Sequence, residues 1–134
     1  MSKIAFDIDG VLVPDCDKFT KLGGLDDFYA LTTCMRPLFK PNGEWYAITA
    51  REAQYRPYTM EWIRKYFTNK PLELWHESDS TNPPEYKAEV INKNGITKYI
   101  ESDKGIVEYL KKHTQAEIIH FEEFCSLNFE DTQG

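Results

Sequence analysis

The decapeptide Ile4–Val13, IAFDIDGVLV, sets an apolar run before two aspartates two residues apart, then a glycine and a second apolar run. Two structures compete for it. Asp-Gly between apolar runs is a strong short hairpin signal, which would make the aspartates the bend between antiparallel strands. In the other reading the first run is a buried strand ending at a loop, with carboxylates standing at its C-terminal end. Val13-Pro14 favours this second reading, because proline has no N–H to give to a paired return strand. Alternation then turns Asp7 and Asp9 to one side and Ile8 to the other. Gly10 lets the chain turn away and leave both carboxylates open.

Outward from this stretch, short apolar runs alternate with helical patterns, without repeats, low-complexity segments or a linker. That alternation predicts an α/β fold with a mainly parallel sheet of about five strands. The strands fall at Lys3 to Asp7, Glu44 to Thr49, Leu72 to Glu77, Ile96 to Glu101 and Ala116 to Phe121. Met60, Ile63 and Phe67 recur at helical spacing behind Pro57, whose fixed φ suits a first turn. PPEYKAEVINKNG, residues 83–95, opens with proline and closes with glycine, as helices do. Asp103 is placed to cap a helix carrying Ile106, Val107 and Leu110 as its apolar stripe. Phe28, Leu31, Thr32 and Met35 predict a further helix, which leaves residues 11–22 as a loop or small flap over the strand ends. The acidic tail, residues 122–134, carries no clear pattern.

The 134 residues fit one domain, 1–134, and 41% hydrophobic with 28% charged residues is an ordinary globular composition. A net charge of −6 without a basic cluster speaks against a long polyphosphate backbone as partner, so nucleic acid is not expected. No run approaches the roughly 20 apolar residues of a membrane span, and the N-terminal sequence has no signal-peptide h-region. A cytoplasmic location without membrane attachment is expected. Cys16, Cys34 and Cys125 are odd in number and widely spaced, which predicts reduced thiols rather than disulfides or a zinc site.

A parallel sheet brings its strand C-termini to one edge, and ligands bind in the crevice outside it. This sequence places Asp7 and Asp9 there from the first strand, Thr49 and Arg51 from the second, and Glu101 and Asp103 from the fourth. Lys87 joins them from the first turn of the helix at Pro84. Its stem shares a face with Val90 and Ile91, which leans it toward the sheet. Converging carboxylates repel unless a cation sits between them, and Mg²⁺ prefers oxygen ligands and is commonly shared with a phosphate. One aspartate is then free to attack phosphorus and the other to move protons.

FDIDGVLV, Thr49 of AITAR, Lys87 and the acids of YIESD resemble, in order and spacing, the four motifs of the haloacid dehalogenase superfamily of phosphohydrolases. The resemblance covers roughly residues 3 to 121. It implies a Rossmann-like three-layer sandwich and a Mg²⁺-dependent aspartyl-phosphate mechanism on a small phosphorylated substrate, such as a nucleotide or sugar phosphate. By that resemblance Asp7 is the nucleophile, Asp9 the acid/base, Thr49 a ligand of a phosphoryl oxygen, and Lys87 the charge-neutralising group. Asp7, the Asp9 carbonyl and an acid of the fourth motif, Glu101 or Asp103, hold Mg²⁺; the reading leans to Asp103. The gap between the first two motifs is short for a cap domain, so a capless or minimally capped member is implied.

Plainer readings stand beside these. Asp103 caps a helix whether or not it binds metal, and Thr49 is a β-branched residue suited to a strand end. Arg51 is either a substrate contact or the partner of an acid. His76, His113 and His120 lack ligand spacing, and Trp62, Tyr66 and Phe67 suit a core better than a base-stacking platform. At the level of function, the alternatives are a phosphatase acting on a protein or nucleic-acid end and a non-catalytic binding module.

Overall fold

The computed structural model describes residues 2–14, 24–77 and 82–129. Five strands, β1 (Ile4–Phe6), β2 (Tyr46–Glu52), β3 (Leu74–Glu77), β4 (Lys98–Glu101) and β5 (Glu117–His120), form one sheet in the order β3-β2-β1-β4-β5. Every pairing is parallel. Among the described residues the α-helices are α1 (Leu25–Thr32), α2 (Arg56–Tyr66), α3 (Pro83–Asn94), α4 (Lys104–His113) and α5 (Phe121–Phe129), with a short 3-10 turn, Ala53–Tyr55, leading into α2. This is the α/β, Rossmann-like three-layer arrangement expected from the sequence.

Alternation along the strands builds the two interfaces. Phe6, Ile100 and Ile119 point to a core shared with Trp62 and Ile63 of α2 and with Phe121 and Phe124 of α5. Ala5, Tyr99 and Ile118 point the other way, against Ile91 of α3 and Val107 and Leu110 of α4. Burial on both faces is what a central parallel sheet requires, and it accounts for the near-continuous apolar runs of the strands.

Local signals end the helices where the sequence places them. Gly95 closes α3 with φ +67°, a left-handed conformation that favours glycine. The Asp103 carboxylate accepts the Ile106 N–H at 3.1 Å and caps α4. Trp62 lies in the core, as its pattern indicated. The tail, unassigned from sequence, forms α5 as far as Phe129, and stacked rings of Phe39 and Phe121, 6.2 Å apart, help to hold it. Among the described residues, no helix is long and apolar enough to cross a membrane.

The stretch 4–13 is not a hairpin, because β1 is flanked by β2 and β4. Instead the chain coils tightly after it. The Ile8 carbonyl accepts the N–H groups of Val11, Leu12 and Val13 at 3.2, 2.9 and 3.1 Å, and Gly10 adopts φ +84°. Two expectations change here. Val11, Leu12 and Val13 are fully buried, so the chain's return into the core takes them out of the flap; residues 15–22 of that flap lie outside the described residues. In α1 the buried stripe is Phe28, Tyr29 and Thr32, while Leu31 is 49% exposed, because the helix ends at Thr32 and turns its aromatic pair toward Tyr55.

Candidate active site

The sheet order reverses between β1 and β4, since β1 leads outward to β2 and β3 before the chain crosses back to β4. The crevice at such a switch point is the natural ligand site of an open parallel sheet. Asp7 stands immediately after β1, its N–H donating to the Ile100 carbonyl at 3.0 Å. Glu101 ends the neighbouring β4. Alternation sends both side chains to the α3 face, where Lys87 meets them. Its Nζ lies 2.6 Å from Glu101 Oε1 and 3.4 Å from Asp7 Oδ2.

These groups are deeply buried: Asp7 is 5% exposed, and Lys87 and Glu101 are each 1% exposed. Each carboxylate is also held by backbone. Asp7 Oδ1 accepts the Ile8 N–H at 2.8 Å, and Glu101 Oε2 accepts the N–H groups of Ser102 and Asp103, both at 3.1 Å. The Tyr99 hydroxyl donates to Glu101 Oε1 at 3.0 Å.

Burial, reinforced by the charge of Glu101, pushes Asp7 well above the usual carboxylate range, and Lys87 only partly offsets this. Burial alone would also raise Glu101, but the Lys87 charge and the hydrogen bonds it receives bring it below its ordinary value. Burial likewise works against the ammonium of Lys87; its two carboxylate neighbours outweigh that and raise it. Within the trio Lys87 thus favours the charged form of Glu101, while burial beside Glu101 disfavours the charged form of Asp7.

A second pair lies beside it. The Asp9 carboxylate takes both arms of Arg51, Nε to Oδ2 at 2.9 Å and Nη2 to Oδ1 at 2.8 Å. Arg51 Nη1 donates to Thr59 Oγ1 at 3.0 Å, and its guanidinium carbon sits 4.5 Å from the centre of the Tyr29 ring. Arg51 is on β2 because that strand runs past Thr49, through a shift in its register with β3 between Thr49 and Glu52. Sequence periodicity ends this strand at Thr49, since a shifted register leaves no alternating pattern to read. The buried Thr49 hydroxyl accepts the Arg51 N–H at 3.1 Å. Behind it, opposite Thr49 on β3, His76 places Nδ1 3.2 Å from the Arg51 carbonyl and 3.3 Å from that of Glu52. Burial first, and the nearby Arg56 and Arg51 charges, lower His76 to about 4.

The structure thus brings Asp7, Lys87 and Glu101 together and sets Asp9 with Arg51 alongside. It does not bring Asp103 into the cluster; that side chain is exposed and caps α4. Four further residues complete the surroundings. Tyr99 was legible, being two residues before Glu101 on the same strand face. Ser102, whose Oγ donates to the Asp9 carbonyl at 3.2 Å, stood unremarked between two acids. Tyr29 and Thr59 reach Arg51 from separate helices, which no sequence spacing marks.

Among the described residues, no three His, Cys, Asp or Glu side chains are gathered closely enough to enclose a metal by themselves. The oxygen donors at hand are Asp7, Glu101 and the Asp9 carbonyl, a hard set whose surplus negative charge is expressed in the raised Asp7. No protein-family model matches the chain, and no curated protein sequence matches it.

Proposed function

We propose that this protein is a Mg²⁺-dependent phosphomonoesterase of the haloacid dehalogenase type, acting through an aspartyl-phosphate on a small phosphorylated molecule. The observation that carries this reading is the buried Asp7–Lys87–Glu101 cluster at the switch point of the sheet. Burying three ionisable groups costs stability that well-packed apolar residues would not, so a binding module gains nothing by keeping them. A raised carboxyl beside a lysine in such a crevice supports this reading, because functional sites are where burial and specific charge partners shift carboxyls together.

In this reading Asp7 attacks phosphorus through a carboxylate oxygen. The bond from phosphorus to the ester oxygen breaks, and that oxygen takes a proton from Asp9, which enters the step as the carboxylic acid, its proton drawn from water, and leaves it as the carboxylate paired with Arg51. Asp9 then accepts a proton from water; the resulting hydroxide attacks phosphorus, releasing inorganic phosphate and restoring Asp7. Lys87 balances charge on Asp7 and on the transferring group, and Thr49 donates to a phosphoryl oxygen. Mg²⁺ would be held by Asp7, the Asp9 carbonyl and Glu101, with water filling its remaining positions, and would supply charge neutralisation of Asp7 and phosphate.

A panel of nucleotide and sugar monophosphates, assayed with Mg²⁺ and with EDTA, tests the proposal. Turnover should require the metal and vanish in Asp7→Asn. Hydrolysis that survives either change overturns the mechanism, and hydrolysis of nothing in the panel removes the support for a small substrate.

A further inference from the structure

Arg51 sits where a substrate phosphate could be met, yet its guanidinium is already spoken for. Of five N–H groups, two go to the Asp9 carboxylate and one to Thr59 Oγ1, while one face of the guanidinium plane is covered by the Tyr29 ring. The side chain is 1% exposed. Its backbone is fixed as well, by the Thr49 hydroxyl at its N–H and by His76 Nδ1 at its carbonyl.

Asp9 lies in the tight coil after β1, bridged to Val13, and among the described residues the side-chain hydrogen bonds of its carboxylate come from Arg51. The two-point fork holds the carboxylate in the guanidinium plane, a geometry that a lysine cannot impose. We propose that Arg51 is a positioning residue that aims Asp9 at the leaving oxygen, and that Thr59 and Tyr29 complete the clamp. This rests on the phosphomonoesterase reading. It also ties α1, through Tyr29, to the aim of a proton-transfer group that follows β1.

The test compares kcat/KM for p-nitrophenyl phosphate and benzyl phosphate, because the poorer benzyl leaving group depends more on the proton from Asp9. Arg51→Lys should lose about tenfold to a hundredfold on benzyl phosphate and several-fold less on p-nitrophenyl phosphate. Competitive inhibition by inorganic phosphate should stay within about twofold of native, and in an Asp9→Asn background Arg51→Lys should cost almost nothing further. Equal losses on both esters, with phosphate inhibition weakened about tenfold or more, would make Arg51 a substrate ligand and overturn the inference. Should Arg51→Lys fail to fold by circular dichroism, Tyr29→Leu serves, since it removes the covering ring while keeping both Asp9 and Arg51. It should show the same leaving-group dependence at smaller amplitude, and a folded Tyr29→Leu without that dependence overturns the clamp. Native protein that hydrolyses neither ester overturns the phosphomonoesterase reading and this inference with it.

Discussion

Lys87 Nζ lies between two buried carboxyl groups, 2.6 Å from Glu101 and 3.4 Å from Asp7. Nothing else among the described residues offsets those two groups with a full charge at salt-bridge distance, so Lys87 bears on folding whatever its part in the proposed chemistry. Lys87→Met would leave a buried carboxylate unpaired. That should destabilise the protein by about 3 to 5 kcal/mol at neutral pH, measured by urea unfolding. Adding Glu101→Gln should recover part of the loss, giving a double variant more stable than the sum of the single changes predicts.

Asp7 reports the same imbalance from the other side. Its folded pKa is raised, so above the ordinary carboxylate range the unfolded chain releases a proton that the folded protein keeps. Stability therefore declines as pH rises above about 4, until the folded group itself ionises. Asp7→Asn removes this liability. Thermal melts at pH 7 without metal should show a higher Tm for the variant than for native protein, while phosphomonoester turnover drops by at least about a thousandfold. Mg²⁺ should raise the native Tm and leave that of Asp7→Asn nearly unchanged.

The extent to which this was legible follows from what sequence spacing can encode. Ile4–Val13 announced a strand and a turn because Asp-Gly-Val and Val13-Pro14 act locally, and α3 announced its ends through Pro83-Pro84 and Gly95. Asp7, Lys87 and Glu101 could be placed at one edge because parallel topology sends all strand C-termini there. What escaped is non-local. The shifted register that carries Arg51 into β2 breaks the alternation from which strands are read, and Tyr29 and Thr59 reach Arg51 only through the packing of α1 against α2. In YIESD the reading leans to Asp103, but the two acids are separated by the end of β4 at Glu101, which leaves Glu101 on the strand beside Lys87 and Asp103 to cap α4.

His76 makes a pH signature of the support behind Arg51. Its Nδ1 faces two carbonyl oxygens, which favour the charged ring, but burial and the Arg56 and Arg51 charges outweigh them and lower His76 to about 4. The unfolded chain protonates near 6.5, so His76 contributes stability that is complete above that value and is lost as pH falls from about 6.5 toward 4. His76→Gln keeps an N–H donor without the titration. Its unfolding free energy should fall less steeply than that of native protein across this window, as measured by urea titrations at matched pH; parallel slopes would rule out the assignment.

The two acids of YIESD should separate cleanly under mutation. Asp103→Ala deletes an exposed cap and should destabilise the protein by about 1 kcal/mol, leaving Mg²⁺-dependent turnover within about twofold of native. Glu101→Gln keeps the size of the side chain and its acceptor for backbone N–H groups, but removes the charge beside Lys87 and Asp7. The half-saturating Mg²⁺ concentration for turnover should then rise about tenfold or more, because the negative charge beside Asp7 is lost. Loss of Lys87's partner alone would lower turnover at every Mg²⁺ concentration without moving that midpoint. Measuring the midpoint therefore distinguishes a metal ligand from a structural counter-ion. A shifted midpoint in Asp103→Ala with none in Glu101→Gln would reverse the assignment.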